Sequence, residues 1–303
     1  MATAAEWAEG ARPRTLPMAF APVIAGTAAA YQADPSGWLE AGPIPAWVRA
    51  VLAALVSVLL QIGVNYANDY SDGVRGTDDV RVGPVRLTAS GLAAPATVKR
   101  ASFLCFGLAG VFGLVLTAAC GQWWFIAVGV LCVLAAWGYT GGSKPYGYMG
   151  LGDVMVFLFF GLVATLGTAY TQVLALSAGA WVGAVSVGLF ATALLMANNV
   201  RDIPTDREVG KMTLAVRLGD SKARWAFVLM CAVGVLLPLV LVPQIGAWAL
   251  LPLLSGALAA APIRVMLSHG RLERAQLIPV LKTTGILSLV FSVLLAAALV
   301  AGA

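Results

Sequence analysis

The residues best suited to chemistry in this chain of 303 residues fall in three short stretches. In the first, Asn65, Asn68, Asp69 and Asp72 are spaced i, i+3, i+4 and i+7, which puts all four on one face of a helix. Asp78 and Asp79 follow Gly73 and Gly76 on a stretch able to fold back, so four aspartates stand against one cation, Arg75. Carboxylates this close repel one another unless a cation sits among them. Oxygen-only donors favour Mg²⁺, which takes one or two carboxylates, keeps several waters and completes its octahedron with phosphate oxygens. The plain alternative is a solvated acidic turn; the phasing of aspartates with asparagines at the mouth of an apolar segment favours the metal.

The second stretch, Asn199 to Leu214, repeats the logic. Asn199, Asp202 and Asp206 share a helix face, and Arg201, Arg207 and Lys211 lie beside them. Two carboxylate clusters with their own cations suit a metal-bridged diphosphate better than a bare cation. Gly210-Lys211 is not a P-loop, because Thr205 and Met212 stand where that motif needs Gly and Ser or Thr. In the third stretch, Tyr139 to Tyr148, Lys144 is the lone charge, either an interfacial anchor or a ligand for phosphate. Tyr139, Tyr146 and Tyr148 are either interfacial belt residues or ring faces for a developing carbocation. Arg86, in Gly83-Pro-Val-Arg86, is a clamp for diphosphate or a carboxylate, or an orienting charge. Arg12, Arg14 and Thr15 read as an N-terminal topology signal, and His269 as a surface residue.

The elements that position these residues follow from composition. Hydrophobic residues make up 60% of the chain, charged residues 11%, and mean hydropathy is +0.88. A globular protein carries about 25% charged residues, so a soluble fold and disorder are both excluded. One histidine excludes a His-His metal site, and Cys105, Cys120, Cys132 and Cys231, scattered without a C-x-x-C pair, read as small apolar residues. A membrane-crossing helix needs about 20 mostly apolar residues. That template gives nine spans in one domain, residues 1–303: about 15–31, 47–66, 101–119, 122–139, 154–172, 180–198, 225–242, 247–267 and 277–300. The first imitates a signal peptide, but Pro17 and Pro22 break its apolar run and eight spans follow.

With the N-terminus cytoplasmic, all of the 19 Lys and Arg residues except Arg49 fall on one side. The positive-inside rule therefore predicts N-terminus in and C-terminus out. The positive charge orients the chain in a membrane, which removes nucleic acid as a partner. More than half of the 14 acidic residues follow spans two and six, so the chemistry is expected on the cytoplasmic face. Asn65-x-x-Asn68-Asp69-x-x-Asp72 and Asn198-Asn199-x-x-Asp202-x-x-x-Asp206 echo one another faintly, each at such a span end.

Taken together, the stretches resemble the UbiA superfamily of intramembrane prenyltransferases. The resemblance covers most of the chain: the nine spans, Asn68-Asp69-x-x-Asp72 with Asp78, Tyr139 with Lys144, and Asp202-x-x-x-Asp206. In detail it is similar to the branch that prenylates 1,4-dihydroxy-2-naphthoate. The runs behind this are Ala11-Arg-Pro-Arg-Thr-Leu-Pro17, Asn68 to Asp78, Gly83-Pro-Val-Arg86, and Asn199-Val-Arg-Asp202 through Gly210-Lys-x-Thr-Leu214. Ser143 and Asp153 depart from the pattern, where relatives often have Pro and Glu.

The resemblance implies an all-α integral membrane bundle in the bacterial cytoplasmic membrane, acting on a long polyprenyl diphosphate and 1,4-dihydroxy-2-naphthoate. Mg²⁺ is the implied cofactor, with Asp69, Asp72, Asp78, Asp202 and Asp206 as its ligands and Asn65 and Asn68 orienting the diphosphate. Asp72, Lys144, Asp202 and Tyr139 are the implied catalytic residues. Lys144, Arg201 and Lys211 would neutralise the leaving diphosphate, and Arg86 would meet the acceptor carboxylate. The products would be demethylmenaquinone, CO₂ and diphosphate. A 4-hydroxybenzoate polyprenyltransferase, a haem O synthase and an ion transporter using the aspartates are the alternatives.

Overall fold

Helix punctuation in the sequence sets where the elements begin and end. Thr3 and Glu6 form a reciprocal capping box on α1 (Ala4–Gly10). Pro17 opens α2 (Pro17–Ala33). Pro45 precedes α3 (Ala46–Arg75), which Gly76 ends in the left-handed conformation. Pro95 opens α4 (Pro95–Cys120), closed the same way by Gly121. After α5 (Phe125–Gly138) comes the helical stretch α6 (Gly152–Val173), π-helical from Phe157 to Val163. The Ser177 hydroxyl caps α7 (Ala178–Glu208) by accepting from Ala180 N. The chain ends with α8 (Asp220–Leu236), α9 (Gly256–Leu267) and α10 (Ile278–Ala301). The computed structural model describes residues 2–40, 44–76, 86–268 and 274–303.

Among the described residues there is no β-strand, and 6 helical stretches are long and apolar enough to cross a membrane. α7 is the central one: 72% of its apolar window is buried, against 22% for α3. It packs against α2, α8 and α10, and the core between them holds Phe190 against Phe291, with ring centroids 5.1 Å apart. Small residues let these helices approach closely. A Cβ on Gly161 would stand 2.5 Å from Gly188 Cα, so α6 and α7 meet backbone to backbone.

Each of the nine expected spans has a helical counterpart, with three differences. α3 and α7 continue past Tyr66 and Asn198 to Arg75 and Glu208. α5 has only 14 residues, short for a crossing. Spans seven and eight lie in one helical run, Asp220–Leu267, interrupted by 3₁₀ turns and by Gly246 at φ 57°. α8 packs against α9, so this run doubles back on itself.

Candidate active site

The extensions of α3 and α7 beyond their apolar spans carry the acidic clusters. On α3, Asn65, Asn68, Asp69 and Asp72 are all buried, as the shared face predicts. Each has a distinct partner. Asn65 Nδ2 donates to Ala11 O (2.9 Å) and Thr15 Oγ1 (3.1 Å), tying the N-terminal segment onto α3. Asn68 Oδ1 accepts from Thr140 Oγ1 at 2.8 Å. Asp69 takes the backbone N–H groups of Leu87 and Thr88, one on each carboxylate oxygen, both at 2.8 Å. Asp72 Oδ1 accepts from the Tyr148 hydroxyl at 3.0 Å. Asp78, expected as a metal ligand, lies outside the described residues, as do Asp79, Gly83 and His269.

On α7, Arg201 and Asp202 form a buried bidentate pair, Nε to Oδ1 at 2.6 Å and Nη2 to Oδ2 at 2.7 Å. Arg201 Nη2 also donates to Asn198 Oδ1 at 2.9 Å. Past the end of α7 the chain turns at Gly210, and Lys211 Nζ comes to 3.7 Å from Asp206 Oδ1.

Tyr148 joins the clusters. Its hydroxyl donates to Asp72, its carbonyl accepts from Met212 N (3.0 Å), and Lys211 Nζ lies 5.2 Å from its ring centroid. Arg75 Cζ lies 5.3 Å from the same ring, and its guanidinium donates to the carbonyls of Thr140 and Gly142. All three stretches picked out in the sequence therefore meet at one tyrosine.

Beside this junction lies a cavity of about 1110 Å³, lined by residues of all three stretches, though not by Asp69, Tyr148, Asp202 or Asp206. Asn68, Asp72, Arg86, Arg201 and Lys211 line its polar end, and Arg12, Arg14 and Thr15 of the N-terminal segment close its side. The rest is apolar, with Leu60, Gly113, Phe125 and Val163 among its walls. Tyr139 and Tyr146 stand at the junction, ring centroids 5.6 Å apart. Burial pushes the Tyr146 hydroxyl pKa up, so it remains a neutral donor, bonded to Ala135 O at 2.8 Å. Lys144 is exposed on its loop and does not line the cavity.

Among the described residues no three acidic side chains converge to cage a metal by themselves. The donor set fits Mg²⁺ shared with a ligand: hard carboxylate oxygens on two helix ends, joined by Tyr148 and flanked by cations that suit phosphate. Sequence reasoning missed the tyrosine bridge, the Arg75 bonds to Thr140 and Gly142, and the place of Arg12 and Arg14 on the cavity wall. The spacing of Tyr148 from Asp72 carries no periodic signal; only the crowding of Tyr and Gly around Lys144 pointed there.

The profile of the UbiA prenyltransferase family matches residues 19–277. The chain belongs to that family. A UbiA relative from Mycobacterium tuberculosis, named 1,4-dihydroxy-2-naphthoate octaprenyltransferase, is 50% identical over 308 residues, covering 100% of this chain and 99% of its own. One of the same name from Escherichia coli is 43% identical over 224 residues, covering 72% and 70%. Among solved structures, a UbiA homolog from Archaeoglobus fulgidus bound to GPP and Mg²⁺ shares the fold, with a TM-score of 0.64 and 15% identity over 97% of this chain and 99% of that one.

Proposed function

We propose that the chain transfers a polyprenyl group from its diphosphate to 1,4-dihydroxy-2-naphthoate, releasing diphosphate and CO₂ and giving demethylmenaquinone. The observation that carries this is the junction at Tyr148, which ties Asp72 on one helix end to Lys211 beyond the other, next to a largely apolar cavity that Asp72, Arg201 and Lys211 line. Relatives named for the naphthoate reaction, one covering the full chain, support the choice of acceptor.

The cavity accounts for the donor. Its apolar walls suit a prenyl tail, and its polar end suits a diphosphate. Mg²⁺, held by Asp69, Asp72, Asp78, Asp202 and Asp206, would neutralise the diphosphate oxygens. Arg201 and Lys211 supply positive charge as the allylic C–O bond breaks, the kind of electrostatic stabilisation that is usually the largest catalytic contribution. Lys144, expected at the diphosphate, is exposed on its loop outside the cavity lining, so a role there requires the loop to bring it to the bound donor. Asn68, fixed by Thr140, sets the angle of the donor. Asn65 keeps the N-terminal segment on the cavity wall. Asp69 also pins the backbone at Leu87 and Thr88, which holds the neighbouring Arg86 at the cavity for the acceptor carboxylate. The ring of Tyr139 faces the cation, and the hydrocarbon walls keep water from it.

In the same reading the helices make nine crossings, with the N-terminus and active site cytoplasmic and the C-terminus opposite, in a bacterial cytoplasmic membrane. The test is turnover in nanodiscs of radiolabelled prenyl diphosphate with Mg²⁺, offered 1,4-dihydroxy-2-naphthoate or 4-hydroxybenzoate. Lipid-soluble product from the naphthoate alone is expected. Product from the benzoate alone would keep the donor chemistry and overturn the acceptor.

A further inference from the structure

Behind Tyr139 lies a carboxylate with no part in the chemistry above. Asp153, 3% exposed, sits in the first turn of α6, and neither side-chain oxygen meets a hydrogen-bond partner among the described residues. A buried acid without donors is costly to keep and calls for an explanation, a catalytic one included.

Tyr139 rests against this turn. A Cβ on Gly152 would lie 3.1 Å from Tyr139 Cε2 and 3.6 Å from its hydroxyl oxygen, one residue before Asp153. Tyr139 is therefore packed against the turn that carries Asp153. Tyr139 lines the cavity and Asp153 does not, so Asp153 reaches a reactant only through the tyrosine. The helix then passes into the π-helical turns of Phe157–Val163, a feature concentrated at functional sites.

The surroundings of the pair are few. Tyr146 flanks Tyr139 from the loop, and Asp72 lines the same cavity from α3. α7 offers uncharged groups to this turn: Thr192, whose hydroxyl donates to Asp153 O at 3.4 Å, and Leu195 near Gly152. Arg217 donates to Met149 O at 3.1 Å and packs on Gly150, a few residues before Asp153.

We propose that Asp153 is a positioning residue for proton transfer at the acceptor, taking the hydroxyl proton of Tyr139 as Tyr139 takes that of the acceptor's ring hydroxyl. The role rests on the acceptor reading above. The acceptor O–H bond breaks, and its proton goes to the Tyr139 oxygen while the tyrosine's own proton goes to Asp153. The freed electron pair feeds the ring, whose carboxylate-bearing carbon bonds to the prenyl C1 as the C–O bond to diphosphate breaks. Loss of CO₂ returns its bonding pair to the ring, and the proton passes back to the acceptor oxygen. No oxidant or further reactant is needed. Neither Asp153 oxygen bonds the Tyr139 hydroxyl directly, so the relay runs through one bridging water.

The experiment uses the full chain in nanodiscs with prenyl diphosphate, Mg²⁺ and 1,4-dihydroxy-2-naphthoate. Asp153→Asn, close to isosteric, should lower kcat about a hundredfold at neutral pH. The KM for the donor should not change. The lost rate should return as pH rises and solution base replaces the carboxylate, and Asp153→Glu should recover most of it. A wild-type kcat and pH profile in Asp153→Asn would overturn the role. So would an equal loss in Asp153→Glu together with a lowered Tm, which marks packing alone. Wild-type protein inactive on the naphthoate is the separate failure of the acceptor reading, and the Asp153 role falls with it.

Discussion

Asp72 carries more of the site than any other aspartate among the described residues, because it lines the cavity and is the one that Tyr148 holds. Asp72→Asn is expected to lower kcat by about a hundredfold or more while the protein stays folded. Near-normal turnover with unchanged Mg²⁺ dependence would remove Asp72 from the donor site. Tyr148→Phe keeps the ring under Lys211 and removes only the bond to Asp72. Hydrogen bonds to charged groups are worth about 1.5–3 kcal/mol, so kcat/KM should fall about tenfold to a hundredfold. Arg201→Ala leaves Asp202 buried without its bidentate partner, which should destabilise the protein by about 3 kcal/mol; a thermal unfolding midpoint in detergent reads this directly. At this scale the helical phasing of Asn65, Asn68, Asp69 and Asp72 was legible, since i+3 and i+4 spacing is a local property. Their partners were not. Thr140 and Tyr148 reach α3 across the fold, and the backbone N–H groups that occupy Asp69 leave no mark in residue type.

Helix ends were harder to read than helix middles, for a physical reason. A hydropathy template stops where polar residues begin, but the backbone hydrogen-bond ladder continues until a cap ends it. α3 runs on to Gly76 and α7 to Val209, and the functional residues lie in those overruns. Closeness between helices was equally invisible, because glycine placement alone does not say which glycines meet. Gly161→Ala tests the contact with Gly188: the added methyl meets backbone, which cannot rotate away. A loss of about 1–3 kcal/mol is expected from overpacking, seen as a lowered Tm. An unchanged Tm would mean that α6 and α7 separate freely. The hydropathy template divides Asp220–Leu267 into spans seven and eight, whereas the structure has one helical run that turns at Gly246 and packs α8 on α9.

For the whole molecule, the exposed tryptophans bear on orientation. Trp47, Trp123, Trp124, Trp181 and Trp248 are all at least half exposed and sit at helix ends away from the aspartate clusters. Trp225, also more than half exposed, lies near the start of α8; indole rings collect at both membrane–water interfaces, so the two sets fit the two rims of a membrane-embedded bundle. Ser143→Cys, beside Lys144, should be modified by a membrane-impermeant maleimide in inverted vesicles and protected in intact spheroplasts; the reverse pattern would invert the proposed sidedness. Chelation by EDTA should stop turnover and Mg²⁺ should restore it, and activity persisting in chelator would overturn the metal reading.

The tyrosine bridge also sets an order of events during synthesis. Asp72 is made 76 residues ahead of Tyr148, and Lys211 follows later still. During synthesis the first acidic helix end is complete before either of its neighbours exists. A nascent chain arrested before Lys211 would hold helices but no finished mouth. Assembly of the catalytic end is therefore a late step in biogenesis, and a ribosome-stalled series of lengthening chains should acquire prenyl diphosphate binding abruptly, only after the residue 211 region has emerged.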